Sequence, residues 1–160
     1  MLEYSSLQLR IMNEHFTICQ ISDAKLIPFD DEYVFVAKTD EELSLVCRTK
    51  AVPNDTINRV DGFRALRVVG ILPLDQIGVI SRIAGILTAC GVSIFVVSTY
   101  NTDYILMQET SLGDAQKELR DRGYDVIMGD LFTHGNQQGL DASGAADEPT
   151  GGVRRNGFLK

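Results

Sequence analysis

The sequence contains few residues of the kinds that bind metals or form disulfides. Its three cysteines, Cys19, Cys47 and Cys90, lie far apart and include no C-x-x-C pair. Its two histidines, His15 and His134, lie far apart, and neither has a second histidine one helical turn away. We therefore expect small buried thiols in a reducing compartment rather than a disulfide framework. No metal site is predicted, and no cofactor is expected.

A basic surface for nucleic acid is also missing. The 22 acidic residues outnumber the 15 basic ones, and the net charge of −7 repels phosphate backbones. RNA-recognition domains place aromatic residues on their central strands, whereas "FRALRVVGIL" and "ILMQE" present Val, Ile and Leu there. Nucleic acid is therefore not expected as a partner.

Neither a signal peptide nor a membrane span is predicted. The opening "MLEYSSLQLRIM" has no basic region followed by an apolar one. Residues 83–102 carry no charge over about the length of a bilayer span, but they include polar residues and change from helical to alternating periodicity at Gly91. We expect a cytoplasmic protein without membrane contact.

Composition and periodicity divide the chain into three regions. Residues 1–62 and 63–132 are apolar enough to form a core, and each is predicted to fold as one unit. Residues 133–160 are rich in Gly, Asp and Ala, with almost no apolar residue before Phe158. That composition predicts a disordered tail.

Short alternating runs predict strands in the first region. "LQLRI" and "FTICQI" are expected to form a hairpin around a polar break, and "SDAKLIPFDDE" can hold one short helix. "YVFVAKT" and "LSLVCR" are two further strands, joined at Asp40-Glu41-Glu42, and "KAVPNDTINRVDG" is predicted to be a loop. This unit lacks a clear amphipathic helix.

The second region predicts the order βαββαβ. "FRALRVVGIL" is a strand, and Gly78 opens a helix that ends at Gly91. "VSIFVVSTY" and "DYILMQET" form a hairpin, Ser111 with Asp114 starts a second helix as a weak capping box, and "YDVIMGDLF" is the last strand. The predicted apolar stripe of the first helix is Ile80, Ile83, Ala84 and Leu87, joined by Val79, Ile86 and Cys90. The fold class is α+β, ferredoxin-like.

An internal similarity predicts that the two regions are copies of one unit. "FVAKTDEELSLVC" (35–47) aligns with "FVVSTYNTDYILM" (95–107). Two tandem units are therefore expected, with the first one irregular because a short loop replaces its first helix. A chance similarity between two hairpins is the alternative.

One end of the second unit has the chemistry to bind a zwitterion. A helix beginning at Gly78 exposes backbone N–H groups with partial positive charge, which suit a carboxylate. Asp103, after the turn "TYNTD", offers the opposite charge for an ammonium group. The alternatives are that Asp103 only closes the turn and that Gly78 is only a turn residue.

The stretch "GVISRIAGILTACGVSIFVVSTYNTDYILM" resembles the second half of small tandem ACT-domain proteins. These proteins are related to the CASTOR arginine sensors and to the regulatory domain of aspartate kinase. "TDEELSLVC" resembles the corresponding stretch of the first unit, and the resemblance covers roughly residues 5–130.

The resemblance implies a regulatory module that senses a free amino acid at an interface between ACT units. It implies backbone contacts from the helix start, an ammonium contact from Asp103, and a homodimer, since the chain holds half as many units as the arginine sensors. The arginine sensors have an acidic residue at the position of Gln76, which argues against arginine as the ligand. The stretch 42–46 would supply the opposite wall. The implied ligand-binding residues are Gln76, Gly78, Val79, Thr99, Tyr100 and Asp103.

Two other function classes, an enzyme and a ligand-free scaffold, compete with an amino-acid sensor. The sequence offers no Ser-His-Asp set, no nucleophile elbow and no phosphate-cradling loop with a dedicated arginine, so an enzyme is not expected. A ligand-free oligomerisation or protein-interaction scaffold is the alternative function, because sheet edges in such units pair readily.

Overall fold

The computed structural model describes residues 7–72 and 77–129 of the chain. Eight strands of this part form one sheet, and two α-helices pack against it. The predicted tail from residue 133 lies outside the described residues. The strands are Gln8–Ile11 (β1), Phe16–Gln20 (β2), Val34–Lys38 (β3), Leu43–Arg48 (β4), Asn58–Val68 (β5), Phe95–Ser98 (β6), Asp103–Gln108 (β7) and Asp125–Met128 (β8); the helices are Val79–Ala89 (α1) and Leu112–Asp121 (α2).

The long strand β5 organises the sheet. It pairs with β7 along one edge and with β1 and β2, one after the other, along the opposite edge. The predicted hairpin between "LQLRI" and "FTICQI" is therefore wrong: both strands run antiparallel to β5 and lie end to end. The backbone N–H of Met12 continues the ladder by donating to the carbonyl of Ala65 at 2.9 Å. The polar residues after Met12 interrupt the strand without reversing it.

The predicted loop "KAVPNDTINRVDG" is also partly wrong. Its last five residues belong to β5, where Asn58, Arg59 and Val60 pair with β2. Most of these residues are exposed, so the segment lacks the apolar alternation that identifies a strand. Pairing with β2 satisfies its backbone, and this long-range contact overrides the local preference.

The sheet divides into two ferredoxin-like units that share β5. The first unit has the order β3-β4-β2-β5, and the second has the order β6-β7-β5-β1-β8. The second unit differs from a simple four-stranded sheet because β1 is inserted between β5 and β8, running parallel to β8. The α+β, ferredoxin-like prediction is confirmed. The predicted unit boundary after residue 62 falls within the continuous strand β5.

The two hairpins pair in the register that the internal similarity predicts. Phe35 pairs with Val46 in the first unit, and Phe95 pairs with Leu106 in the second, which is the same register displaced by 60 residues. The first unit is irregular, as predicted. A short 3-10 helix, Ala24–Leu26, lies at the position that α1 has in the second unit. Between β4 and β5 the first unit has only the 3-10 helix Thr49–Ala51, without an α-helix corresponding to α2.

The larger core cluster lies between the two helices and one face of the sheet. The buried stripe of α1 is Val79, Ile83 and Leu87, whereas the predicted stripe included Ile80 and Ala84, which are only partly buried at its border. The capping box predicted at Ser111 does not form, because Ser111 already has helical backbone angles (φ −94°, ψ −7°). A 3-10 turn, Glu109–Ser111, leads into α2 instead.

The second face of the sheet carries a smaller cluster that joins the two units. Phe16 and Val46 of the first unit pack with Ala65, Tyr104 and Leu106 of the second. The ring centroids of Phe35 and Tyr104 are 4.9 Å apart. Each face of β5 therefore contributes to an apolar cluster of its own. Among the described residues, no helix is both long and apolar enough to cross a bilayer.

Candidate ligand-binding cleft

A cleft of about 280 Å³ opens where α1 begins beside the β6–β7 turn. Five of the six residues predicted to bind a ligand line it: Gly78, Val79, Thr99, Tyr100 and Asp103. The sixth, Gln76, lies outside the described residues. The structure thus brings the helix start and the hairpin turn into one cavity. The other lining residues are Leu72, Ile80, Ser81, Ser98, Asn101 and Thr102.

The start of α1 directs its first backbone donors toward this cleft. Gly78 is the N-cap residue with φ 86°, and within the described part of the chain no side-chain hydrogen bond caps the helix. The first bond within the helix runs from the N–H of Arg82 to the carbonyl of Gly78 at 3.2 Å. The N–H groups of residues 79–81 precede that bond and carry the partial positive charge of a helix N-terminus.

Asp103 projects from the first position of β7. Because side chains alternate along a strand, it shares a face with Ile105 and Met107, which are buried beneath the helices. Its carboxylate is partly exposed and makes no hydrogen bond or ion pair within residues 7–72 and 77–129. Of the described lining residues, Asp103 is the one with a formal charge.

Thr99, rather than Asp103, closes the hairpin turn. The N–H of Thr99 donates to the carbonyl of Thr102 at 2.9 Å, and the Thr99 hydroxyl donates to the same carbonyl at 2.7 Å. The N–H of Thr102 donates back to the Thr99 hydroxyl at 3.3 Å. The Asp103 carboxylate takes no part in this network, so the turn leaves it available to a ligand.

Thr102 fastens the turn to the end of β5. Its hydroxyl is buried, with the residue 3% exposed, and donates to the carbonyl of Val68 at 2.7 Å. The N–H of Leu72 donates to the carbonyl of Asn101 at 2.8 Å. These two bonds hold the β6–β7 turn against the segment that follows β5. They fix the position of the wall that the turn forms.

Several polar residues that line the cleft were not predicted. Ser81 lies in the first turn of α1, and its position follows from a helix that begins at Gly78. Ser98 pairs with Asp103 across the hairpin, which the predicted turn also implies. The role of Thr102 depends on its contact with Val68 in another strand, and no local pattern indicates that contact.

The stretch 42–46, expected as an opposite wall, does not line the cleft within one chain. It belongs mainly to β4 in the first unit, where Leu45 and Val46 are buried in the interior. Any contribution from these residues requires a second copy of the chain.

Outside the cleft, the first unit contains an ion pair with two hydrogen bonds. The guanidinium of Arg48 donates two hydrogen bonds to Asp31, at 2.8 and 2.9 Å, and lies over the ring of Tyr33. These hydrogen bonds lower the pKa of Asp31, although burial opposes the shift. Arg64 and His15 likewise contact Glu109 and lower the pKa of its carboxyl. Both pairs are structural links between loops and strands.

The cysteines are free thiols. Cys19 and Cys47 are buried, as predicted, and burial raises the pKa of Cys47 to about 12. Cys90 differs from the prediction because it lies at the end of α1 and is only partly buried, with its thiol donating to the carbonyl of Leu87 at 3.2 Å. The described residues contain no cluster of three or more His, Cys, Asp or Glu side chains suited to a metal ion.

Two family models match parts of the chain. Residues 58–121 match the model of the ACT domain, and residues 14–55 match a second model, which describes an N-terminal domain. The ACT match runs from β5 to the end of α2, and it includes both walls of the cleft. The fold is that of ACT domains, which are typically small-molecule regulatory modules.

Solved structures identify particular proteins with this fold. A protein from Agobacterium tumefaciens is 26% identical, with a TM-score of 0.68, over 81% of this chain and 98% of its own. A Vibrio cholerae protein, described as of unknown function and possibly a transport protein, is 20% identical over 75% of this chain and 92% of its own, with a TM-score of 0.58.

The fold also occurs within a larger enzyme. The aspartate kinase of Clostridium acetobutylicum is 14% identical over 69% of this chain, with a TM-score of 0.52. This chain covers only 33% of the kinase, which is described as an allosteric enzyme. At this identity the likeness is one of fold alone. No curated protein matches the chain.

Proposed function

We propose that this protein is a regulatory module that binds a free α-amino acid in the cleft between the start of α1 and the β6–β7 turn. The observation that carries the proposal is the meeting, in one cavity, of the N–H groups at residues 79–81 with the carboxylate of Asp103, neither of which has a side-chain partner among the described residues. The ligand's carboxylate accepts hydrogen bonds from the helix start. Its ammonium group pairs with Asp103.

The cleft suits a small zwitterion better than a larger or singly charged molecule. Its volume of about 280 Å³ is at the lower limit for a small-molecule site. A monoanion would leave Asp103 unpaired, and a monocation would leave the helix start unpaired. Only a ligand with both charges satisfies both walls.

The described lining favours an amino acid with an uncharged side chain. Leu72 and Ile80 contribute apolar surface, and Ser81, Ser98 and Asn101 contribute neutral polar groups. No second carboxylate lines the described part of the cleft, and the sequence has Gln76 where the arginine sensors have an acid. These features support a neutral amino acid in preference to arginine.

We further propose a cytoplasmic homodimer in which a second copy covers the open side of the cleft. Tyr100 lines the cleft and is 79% exposed. Ile71, which precedes the lining residue Leu72 in the chain, is 78% exposed. Exposed apolar side chains beside a binding site are typical of a surface that contacts a partner. A second chain would also bring its own stretch 42–46 within reach as the opposite wall.

The test is a panel of the twenty amino acids at millimolar concentration, followed by thermal unfolding and calorimetry of the full chain. One or a few amino acids should raise the unfolding temperature, since a ligand at 100 times its Kd stabilises the folded state by about 2.7 kcal/mol. Asp103→Asn should abolish the response while the protein stays folded.

Asp55→Asn is the matched control, because Asp55 is an exposed carboxylate in a loop outside the cleft. It should respond to the ligand as the wild type does. If no amino acid shifts the unfolding temperature, the proposal is wrong and the scaffold function stands in its place. Loss of folding in Asp103→Asn would instead show that the carboxylate is structural.

A further inference from the structure

Two arginines lie side by side on the sheet face that the helices do not cover. Arg10 of β1 is directly opposite Arg67 of β5 in the antiparallel ladder, so both side chains project from the same face. Their strand neighbours Leu9, Ile11 and Leu66 are buried beneath the helices, which places the arginines on the other face.

The row that contains the two arginines is otherwise uncharged. Tyr104 of β7 pairs with Arg67, and Ile127 of β8 pairs with Arg10. The guanidinium of Arg67 lies 5.6 Å from the centre of the Tyr104 ring. The ring orients this guanidinium but does not neutralise its charge.

Neither arginine has a carboxylate partner among the described residues. The Nε atom of Arg10 is buried and lacks a hydrogen-bond partner. Their lack of a partner stands out in a chain of net charge −7. Five other cationic side chains do pair with a carboxylate: Arg48, Arg59, Arg64, Lys117 and Arg122.

This arrangement is unfavourable when nothing is bound. Like charges directly opposite each other in a sheet destabilise it, and so does a buried donor without an acceptor. One anion between the two guanidinium groups would remove both costs. Arginine forks match the planar or tetrahedral oxygens of carboxylate and phosphate groups.

A cavity of about 230 Å³ lies at this position. Its lining residues are Arg10, Arg67, Val69 and Gly70, none of which lines the cleft beside α1. Gly70 has no side chain to narrow the cavity. We propose that Arg10 and Arg67 form a second ligand site, on the sheet face opposite the helices, for a small anion bearing a carboxylate or phosphate group.

The experiment titrates inorganic phosphate, and separately succinate, into the full chain at constant ionic strength set with chloride. Unfolding temperature and calorimetric affinity are compared for the wild type, Arg10→Gln, Arg67→Gln and Arg59→Gln. Arg59 is the matched control, because it lies near the other end of β5 and pairs with Asp61. The wild type and Arg59→Gln should bind the anion and gain thermal stability from it. Arg10→Gln and Arg67→Gln should bind the anion at least about tenfold more weakly.

The wild-type protein supplies a second measurement that does not depend on the folding of a variant. The Nε–H resonance of Arg10 should shift and saturate during titration with the better of the two anions. The larger response identifies the site as one for phosphate or for carboxylate.

Three results would overturn the proposal. An equal response in all four proteins would show a general anion effect, and the absence of any response in the wild type would show that no such site exists. If Arg10→Gln and Arg67→Gln convert a dimer into a monomer without affecting an anion response, the groups that the arginines bind are carboxylates of a second copy. None of these results depends on whether Asp103 binds an amino acid.

Discussion

Gly78 adopts a left-handed backbone conformation at the point where α1 begins. A Cβ at this position would meet no atom within 4 Å, so the cost of a side chain is conformational rather than steric. Gly78→Ala should therefore reduce the free energy of unfolding by about 1–2 kcal/mol, measured by urea denaturation.

Gly85 is the matched control, because it lies inside α1 and a Cβ there also meets no atom within 4 Å. Gly85→Ala should raise the free energy of unfolding by about 0.5–1 kcal/mol, since alanine is the better helix former. Equal effects of both substitutions would contradict the left-handed assignment of Gly78.

The Asp31–Arg48 pair predicts a pH dependence of stability. The folded-state pKa of Asp31 lies below its ordinary value of 3.8, chiefly because Arg48 donates hydrogen bonds to the carboxylate. A lowered carboxyl pKa stabilises the fold above that ordinary value, and the stabilisation is lost as the pH falls through the folded pKa.

Asp31→Asn should therefore destabilise the protein at pH 7, and the difference from the wild type should shrink below about pH 4. Urea midpoints at several pH values measure this difference. Asp55→Asn, which removes an exposed carboxylate, should show little effect at either pH. A difference between Asp31→Asn and the wild type that stays constant with pH would show that the pKa shift is absent.

The three thiols should differ in reactivity. The thiolate is the reactive form, and burial raises the pKa of Cys47 to about 12 and also raises that of Cys19. Cys90 is only partly buried. Alkylation of the native protein at pH 8, followed by mass spectrometry of peptides, should therefore label Cys90 first. Labelling of Cys47 at an equal rate would indicate that the first unit opens readily.

The β6–β7 hairpin is the element that shapes the cleft, and Thr102 holds it in place. Thr102→Val keeps the shape of the side chain but leaves the carbonyl of Val68 without its donor at 2.7 Å. The expected loss of stability is about 1–3 kcal/mol, together with weaker ligand binding, because the turn is no longer fixed to β5. Thr102→Ser retains the hydroxyl and should restore most of both. Calorimetry on the two variants separates these outcomes.

The elements that follow from the sequence are those with local patterns. The helical period of apolar residues in α1 is visible in a window of about ten residues, as is the alternation of apolar residues in the β3–β4 and β6–β7 hairpins. These elements were predicted close to their observed positions. The proximity of Gly78 and Asp103 also follows, because the order βαββαβ brings a helix start near a hairpin turn.

Long-range pairing explains what the sequence could not predict. The polar segment at the start of β5 is a strand only because β2 lies beside it. The juxtaposition of Arg10 and Arg67 depends on the register of β1 against β5, which no local pattern encodes. The contact of Thr102 with Val68 has the same origin.

At the scale of the whole molecule, the proposed dimer predicts coupled assembly and binding. A ligand that is covered by a second copy should strengthen the dimer, by the reciprocity of linked equilibria. Ile71→Glu places a charge beside the cleft and should weaken the dimer by at least about tenfold, or 1.4 kcal/mol. Light scattering after size-exclusion chromatography, with and without the ligand, measures this effect.

Ile57→Glu is the control for that measurement, because Ile57 is 58% exposed but lies in the first unit, before β5. It should leave the dimer unchanged. A protein that is monomeric at all concentrations, with and without the ligand, would contradict the proposed assembly.

One strand, β5, completes the first unit and begins the second. Neither half can therefore be expressed as an intact fragment. Whichever fragment keeps these eleven residues of β5 leaves the other without a neighbouring strand in its sheet. The two halves should melt in a single calorimetric transition.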